Sequence, residues 1–214
     1  MDVAAKICGL SSKAGVTAAV EGGAAYLGFV FYPPSPRAVS PADMARLCAG
    51  VPERIARVGL FVDAEDDEIA TVLAAAPVDI LQFHGTESPQ RVAHAKARFG
   101  CPIMKAVAVA TPDDVVIARQ YQETADLLLF DAKPPRRSDT LPGGNGLPFD
   151  WALLAGHTWR LPWMLSGGLT AELLPEAVRV SGAACVDVSS GVESRPGKKD
   201  PAKIRAFLAA ARRL

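Results

Sequence analysis

Two side chains in this sequence are placed to move protons. Cys8 closes the apolar run that begins at Val3, and Asp131 directly follows Leu127, Leu128, Leu129 and Phe130. A thiolate serves as base or nucleophile when nearby positive charge or helix dipoles lower its pKa. Without such partners, a cysteine beside an apolar strand is inert core. A carboxyl at the end of an apolar strand is partly desolvated, the condition under which an acid keeps its proton and acts as a general acid. The alternative role for Asp131 is to cap the loop that follows it.

Two further segments read as a cradle for an anion: Ser166, Gly167, Gly168 and Leu169, and then Ser189, Ser190, Gly191 and Val192. Glycine lets backbone N–H groups approach phosphate oxygens closely, and a helix N-terminus behind them adds favourable dipole charge. One such loop merely turns the chain, whereas two on consecutive strands point to a phosphate. A nucleotide-type P-loop fits poorly. The stretch GVESRPGKK (191–199) has five residues between its glycines instead of four, and Lys199 stands where Ser or Thr is needed. No GxGxxG follows any strand, so nicotinamide and flavin lack their usual signature and no cofactor is expected.

Other candidates stay open on sequence alone. Arg37 follows Pro33, Pro34 and Pro36, which present it rigidly as a cation suited to a carboxylate; it reads equally as a surface arginine. Asp187 alternates with Val186 and Val188, so it either faces a barrel mouth or accepts a structural hydrogen bond. Gln82 and His84 read as wall residues without assigned chemistry. Cys8, Cys48, Cys101 and Cys185 form no CxxC pair, so neither a metal site nor a disulfide framework is expected.

Positioning these groups requires a repeated scaffold. Apolar runs rich in β-branched residues begin near Val3, Tyr26, Ala56, Asp79, Ile103, Asp126, Trp163 and Ala184, most of them about one βα unit apart. Ser40-Pro41, Ser88-Pro89, Thr111-Pro112 and Asp200-Pro201 each place a capping oxygen before a proline that has no N–H to lose, which marks four helix starts. Ile69, Val72 and Leu73, like Ile204, Phe207 and Leu208, then occupy one helical face. Eight parallel strands with covering helices predict a single α/β domain over 1–214, a (β/α)8 or TIM barrel. Open doubly wound sheets need only five or six strands. In a barrel the chemistry sits at the C-terminal strand ends, where Cys8, Arg37, Gln82, His84, Asp131 and the two Gly/Ser loops fall. Residues 133–148, rich in Pro and Gly, read as a long loop, because strand and helix patterns resume in phase after it.

The bulk numbers exclude other classes. With 23 Lys plus Arg against 23 Asp plus Glu, no long-range field recruits nucleic acid or an anionic membrane, so an anionic ligand must be held locally. No apolar run reaches the roughly 18 residues of a spanning helix, and the start of the chain has neither a basic segment nor a cleavable apolar one. A cytoplasmic protein follows as the expectation, a monomer in preference to a dimer.

Taken together, KICGL (6–10), LGFVFYPPSPR (27–37), VGLFVDA (58–64), LQFHGTE (81–87), LLFDA (128–132), LSGGL (165–169) and VDVSSGVESRPGKKD (186–200) resemble the phosphoribosylanthranilate isomerase family across essentially the whole chain. The resemblance implies a cofactor-free Amadori rearrangement in tryptophan biosynthesis. It casts Asp131 as the acid that opens the furanose ring and Cys8 as the base that removes the C2 proton. It further implies that Arg37 pairs with the anthranilate carboxylate and that the two Gly/Ser loops hold the phosphate. Members commonly show GGTGK where this chain has Gly143, Gly144, Asn145, Gly146 and Leu147, which bears on loop closure and on any contact a lysine there would make. The histidine-pathway aminoaldose isomerase performs the same rearrangement but carries aspartate at the end of the first strand, where Cys8 stands. A non-catalytic phosphosugar-binding barrel would keep the loops and could lose the acid or base; both are present here.

Overall fold

Most of the branched apolar runs are followed by a helix, several of them with a side-chain cap. In the computed structural model, which describes residues 3–133, 143, 144, 146 and 148–214, that alternation closes on itself. Eight parallel strands form a closed barrel in sequence order: β1 (Ala4–Ile7), β2 (Tyr26–Val30), β3 (Ala56–Phe61), β4 (Ile80–Phe83), β5 (Ile103–Val109), β6 (Leu127–Ala132), β7 (Trp163–Leu165) and β8 (Cys185–Val188). Four begin at the expected residue and the other four one residue later. The strand end sets that offset in part: Asp79 and Asp126 lie just outside the ladder and spend their carboxylates on the Arg57 and Ile103 backbone N–H groups.

The helices follow as α1 (Lys13–Glu21), α2 (Pro41–Cys48), α3 (Asp66–Ala75), α4 (Pro89–Phe99), α5 (Pro112–Ile117), α6 (Leu174–Ser181) and α7 (Pro201–Ala211). All four Ser/Thr/Asp-Pro starts hold. Ser40 and Thr111 close reciprocal capping boxes with Asp43 and Asp114, Ser88 accepts from the Arg91 N–H, and Asp200 accepts from the Ala202 N–H. Between β6 and β7 the described residues contain only a short 3-10 segment, Trp151–Leu154, in place of a full helix. Most of the long loop expected over 133–148 lies outside the described residues, including Asn145 and Leu147.

Two apolar layers result from the strand period of two. Leu27, Phe29, Phe61, Leu81, Phe83, Leu128 and Phe130 face the helices, while Val58, Ile80, Met104, Ala106, Leu129 and Met164 plug the barrel axis. The plug ends below the C-terminal rim, and polar side chains take over there. Lys6, Gln82, Asp131, Ser166 and Asp187 are all buried.

Candidate active site

At the C-terminal rim lies a cavity of about 750 Å3, counted to its open mouth. Cys8 faces it from the end of β1 and Asp131 from β6, so the two proton-moving candidates share one cavity although 123 positions separate them in the chain. Val30, Tyr32, Leu60 and Val62 form an apolar wall beside Cys8.

Asp131 is 6% exposed and held on both oxygens. Oδ1 accepts from the Ala132 N–H at 2.9 Å, and Oδ2 lies 3.2 Å from Nε2 of His84. The Gln82 amide nitrogen is 2.9 Å from Nδ1 of the same ring. With that amide as donor, the imidazole proton sits on Nε2 and points at the acid. His84 therefore lines the cavity, while Gln82 is fully buried and acts on it only through His84. Gly143 crosses directly above. A β-carbon there would meet His84 Nε2 at 2.6 Å and Asp131 Oδ2 at 2.8 Å, so a larger residue would push this contact aside.

The thiol of Cys8 is buried, and the expected positive charge is present as Lys6 and Lys199. Burial nevertheless dominates and pushes the thiol's pKa up, with Lys6 and Lys199 pulling it down and Asp187 adding to the rise. Lys6 Nζ donates to Asp187 Oδ1 at 2.9 Å, and Asp187 Oδ2 accepts from Ser166 Oγ at 3.2 Å. Asp187 thus does both things left open by its sequence: it borders the cavity and serves as an acceptor.

Arg37 is not a surface residue; it is 5% exposed and lines the cavity. The Ser35 hydroxyl takes its backbone N–H at 3.2 Å. Its guanidinium fork is already occupied. Nε and Nη2 donate to the two carboxylate oxygens of Glu193 at 2.8 and 2.9 Å, and Nη2 also to the Gly144 carbonyl at 3.1 Å. Nη1 has no acceptor among the described residues. Glu193 is shared with Lys199, whose ammonium lies 2.7 Å from Oε1 and also donates to the Ser189 carbonyl at 2.9 Å. These bonds hold the Glu193 carboxyl below the usual range against the opposing effect of burial, while burial lowers Lys199 despite Glu193.

The two Gly/Ser loops lie side by side on the cavity. Gly167 (φ +86°) and Gly168 (φ +65°) are consecutive left-handed residues, and a β-carbon on Gly167 would strike the Ala132 backbone nitrogen. A β-carbon on Gly191 would run into the Leu169 carbonyl. The N–H groups of Gly168, Leu169, Ser190 and Gly191 find no acceptor among the described residues. Buried amides are almost always paired, so converging unpaired donors at a cavity suit an anion.

Three residues here escaped the reading of the sequence: Lys6, Glu193 and Lys199. Lys6 left a signal, a lone charge inside the apolar strand AAKI two positions before Cys8, on the same face of β1. Glu193 and Lys199 left less. They lie across a short hairpin, Glu193–Arg195 with Lys198–Lys199, whose antiparallel pairing after β8 no barrel period announces.

A closed (β/α)8 barrel with a buried carboxyl, a buried thiol and converging unpaired amides at its C-terminal mouth belongs to the barrels whose rim suits an anionic ligand and proton transfer. The family model for N-(5'-phosphoribosyl)anthranilate (PRA) isomerase matches residues 5–210, and the chain belongs to this family. It is 56% identical over 211 residues to the N-(5'-phosphoribosyl)anthranilate isomerase of Paracoccus denitrificans, covering 99% of this chain and 98% of that one. Among solved structures, phosphoribosyl anthranilate isomerase from Thermotoga maritima, a dimeric protein, superposes with a TM-score of 0.88 at 37% identity, covering 99% and 100% of the two chains. Another matches with a TM-score of 0.85 at 35% identity over 99% and 100%, and is a complex of phosphoribosyl anthranilate isomerase with reduced 1-(o-carboxyphenylamino)-1-deoxyribulose 5-phosphate.

Proposed function

We propose that the chain converts N-(5'-phosphoribosyl)anthranilate to 1-(o-carboxyphenylamino)-1-deoxyribulose 5-phosphate, an intramolecular aldose-to-ketose isomerisation in tryptophan biosynthesis. The observation that carries this reading is the shared cavity of Cys8 and Asp131, one group for each of the two proton transfers. Asp131 donates its proton to the furanose ring oxygen, and the C1–O bond breaks as the anilino nitrogen lone pair forms the iminium. Cys8, as thiolate, then takes the C2 proton. The C–H electron pair becomes the enolamine double bond, and tautomerisation gives the ketone. No electrons leave the substrate, so the proposal needs no redox partner.

The cavity also sorts the ends of such a substrate. The loops Gly167-Gly168-Leu169 and Ser189-Ser190-Gly191, with the unpaired amides of Gly168, Leu169, Ser190 and Gly191, take the phosphate. Val30, Leu60 and Val62 offer an apolar wall for the aromatic ring, and Arg37 Nη1 meets the carboxylate. The larger substrate of the histidine pathway, with two phosphates, would need a second anion site.

The catalytic test uses Cys8→Ala and Asp131→Asn. Each should lower kcat by at least about 10²-fold with an unchanged melting curve, since a positioned acid or base contributes roughly 10² to 10⁴. Near wild-type turnover in either would remove that residue from the mechanism. The proposal places the enzyme in the cytoplasm; none of the described helices is long and apolar enough to cross a membrane. It also takes the enzyme as a monomer. In support, the exposed large apolar side chains among the described residues are few, Val116, Ile117, Leu173 and Leu214. Sedimentation equilibrium decides that point, and a stable dimer would overturn it.

A further inference from the structure

We propose that Lys6 is a positioning residue for the Cys8 thiol, an ammonium sealed under the cavity floor whose field holds the thiolate. The inference rests on Cys8 being the base and adds to it the group that makes a buried thiol usable as one.

Lys6 is 0% exposed, among the few buried polar side chains that lie above the apolar plug of the barrel. Burying an ammonium costs several kcal/mol of hydration, and apolar residues of similar volume commonly replace buried ion pairs without loss of stability. The fold alone therefore does not call for this charge. Its direct register partner on β8 is Asp187, and the two side chains meet at 2.9 Å. Asp187 takes only one of the three ammonium N–H groups, and no other oxygen or nitrogen accepts from them among the described residues. Asp187 is in turn fixed by Ser166.

The unspent side of that ammonium is near the thiol. Lys6 and Cys8 are two positions apart on one strand and share its inward face. A single β-carbon on Gly28 of β2 would touch Cys8 Sγ at 3.0 Å and Lys6 Cε at 3.2 Å, so thiol and lysine stem border the same small gap. Gly28 keeps that gap open. The remaining charges around the thiol are placed differently. Asp187 is compensated by Lys6, Lys199 is anchored on Glu193 and Ser189, Arg37 is anchored on Glu193, and Asp131 with His84 line the same cavity from β6 and the end of β4. Removing the proton from Cys8 puts a negative charge where burial disfavours it, and Lys6 is the cation closest along the strand.

The experiment follows the thiol itself. Iodoacetamide modification of Cys8 is read by peptide mass spectrometry across pH in the wild type, in Lys6→Met, and in Lys6→Met combined with Asp187→Asn, which exchanges the ion pair for a neutral pair. The midpoint for Cys8 should rise. At a fixed pH below it, modification should slow roughly tenfold in the single variant and at least about threefold in the double, since one unit of proton affinity is a factor of ten. The acidic limb of kcat/KM should move up by the same amount. An unchanged midpoint in a folded variant overturns the proposal. So does failure of both variants to fold, which would make the pair a scaffold element. A shifted midpoint with an unmoved kcat/KM limb leaves the role of Lys6 intact and removes Cys8 as the base.

Discussion

Glu193 receives Arg37 on both carboxylate oxygens, at 2.8 and 2.9 Å, although the two residues are 156 positions apart. This bond ties the proline-rich loop after β2 to the hairpin after β8, and through Lys199 to Ser189 beside the anion cradle. The cation proposed for one end of the substrate and the loop proposed for the other are thereby parts of one buried charge network.

Glu193→Gln should destabilise the protein by about 3 kcal/mol at neutral pH, because two buried cations lose their shared anion. The pH dependence has a definite sign. The folded-state pKa of Glu193 is depressed, so its stabilisation is present above the unfolded value of about 4.3 and is lost as pH falls through the lower folded value. Urea unfolding should show a gap between wild type and variant at pH 7 that narrows below about pH 4. A gap independent of pH would mean that the charge of Glu193 is not what stabilises the network.

Gly191→Ala would force a β-carbon into the Leu169 carbonyl and so displace one anion loop against the other. The loops carry no reacting group, so the expected effect is a rise in KM of roughly tenfold or more with a smaller change in kcat. Inorganic phosphate should also inhibit the variant more weakly than the wild type. Equal inhibition of both proteins would move the phosphate site elsewhere.

His84 touches the Asp131 carboxyl and, in the proposed reaction, does not itself react. Its Nε2 stands 3.2 Å from Asp131 Oδ2, and Gln82 fixes the ring from behind. His84→Ala should lower kcat by about tenfold through loss of orientation and leave KM nearly unchanged, while His84→Gln, which can still offer an N–H, should recover part of the loss. A variant that raised KM alone would make His84 a substrate-binding residue.

The elements and the strand-end positions of Cys8 and Asp131 were legible in the sequence because local chemistry writes them locally. Ser40-Pro41 and Thr111-Pro112 are caps whatever surrounds them, and Asp131 ends an apolar run in any barrel. Arg37 was legible as a residue of interest but not in its environment, since its burial depends on Glu193, far along the chain and on a hairpin with no period to betray it. Lys6 was hidden differently. The lone charge in AAKI was visible, but only the β1–β8 register shows that Asp187 faces it, and barrel closure sets that register. Gln82 and His84, two residues apart, look like equal wall positions in sequence. In the fold His84, just past the end of β4, lines the cavity, while Gln82, inside the strand, is buried off it.

The same geometry reshapes the test of Arg37. A simple Arg37→Met would strip Glu193 of its bidentate partner, so any loss would mix folding with binding. Arg37→Met with Glu193→Gln removes both charges, and Glu193→Gln alone keeps the guanidinium but frees its fork. With Nε and Nη2 held, Nη1 is the edge left for a carboxylate, a charge-assisted contact in a partly desolvated site. Against Glu193→Gln as the reference, the double variant should bind the anthranilate half about 2 to 4 kcal/mol more weakly. Arg37 stands away from the reacting carbons in this reading, so the loss should fall mainly on KM. The measurement compares both variants on phosphoribosylanthranilate and on the analogue lacking the carboxylate. The double variant should lose affinity for the first substrate and little for the second. Equal losses on both would mean that Arg37 serves the scaffold through Glu193 and that another group reads the carboxylate.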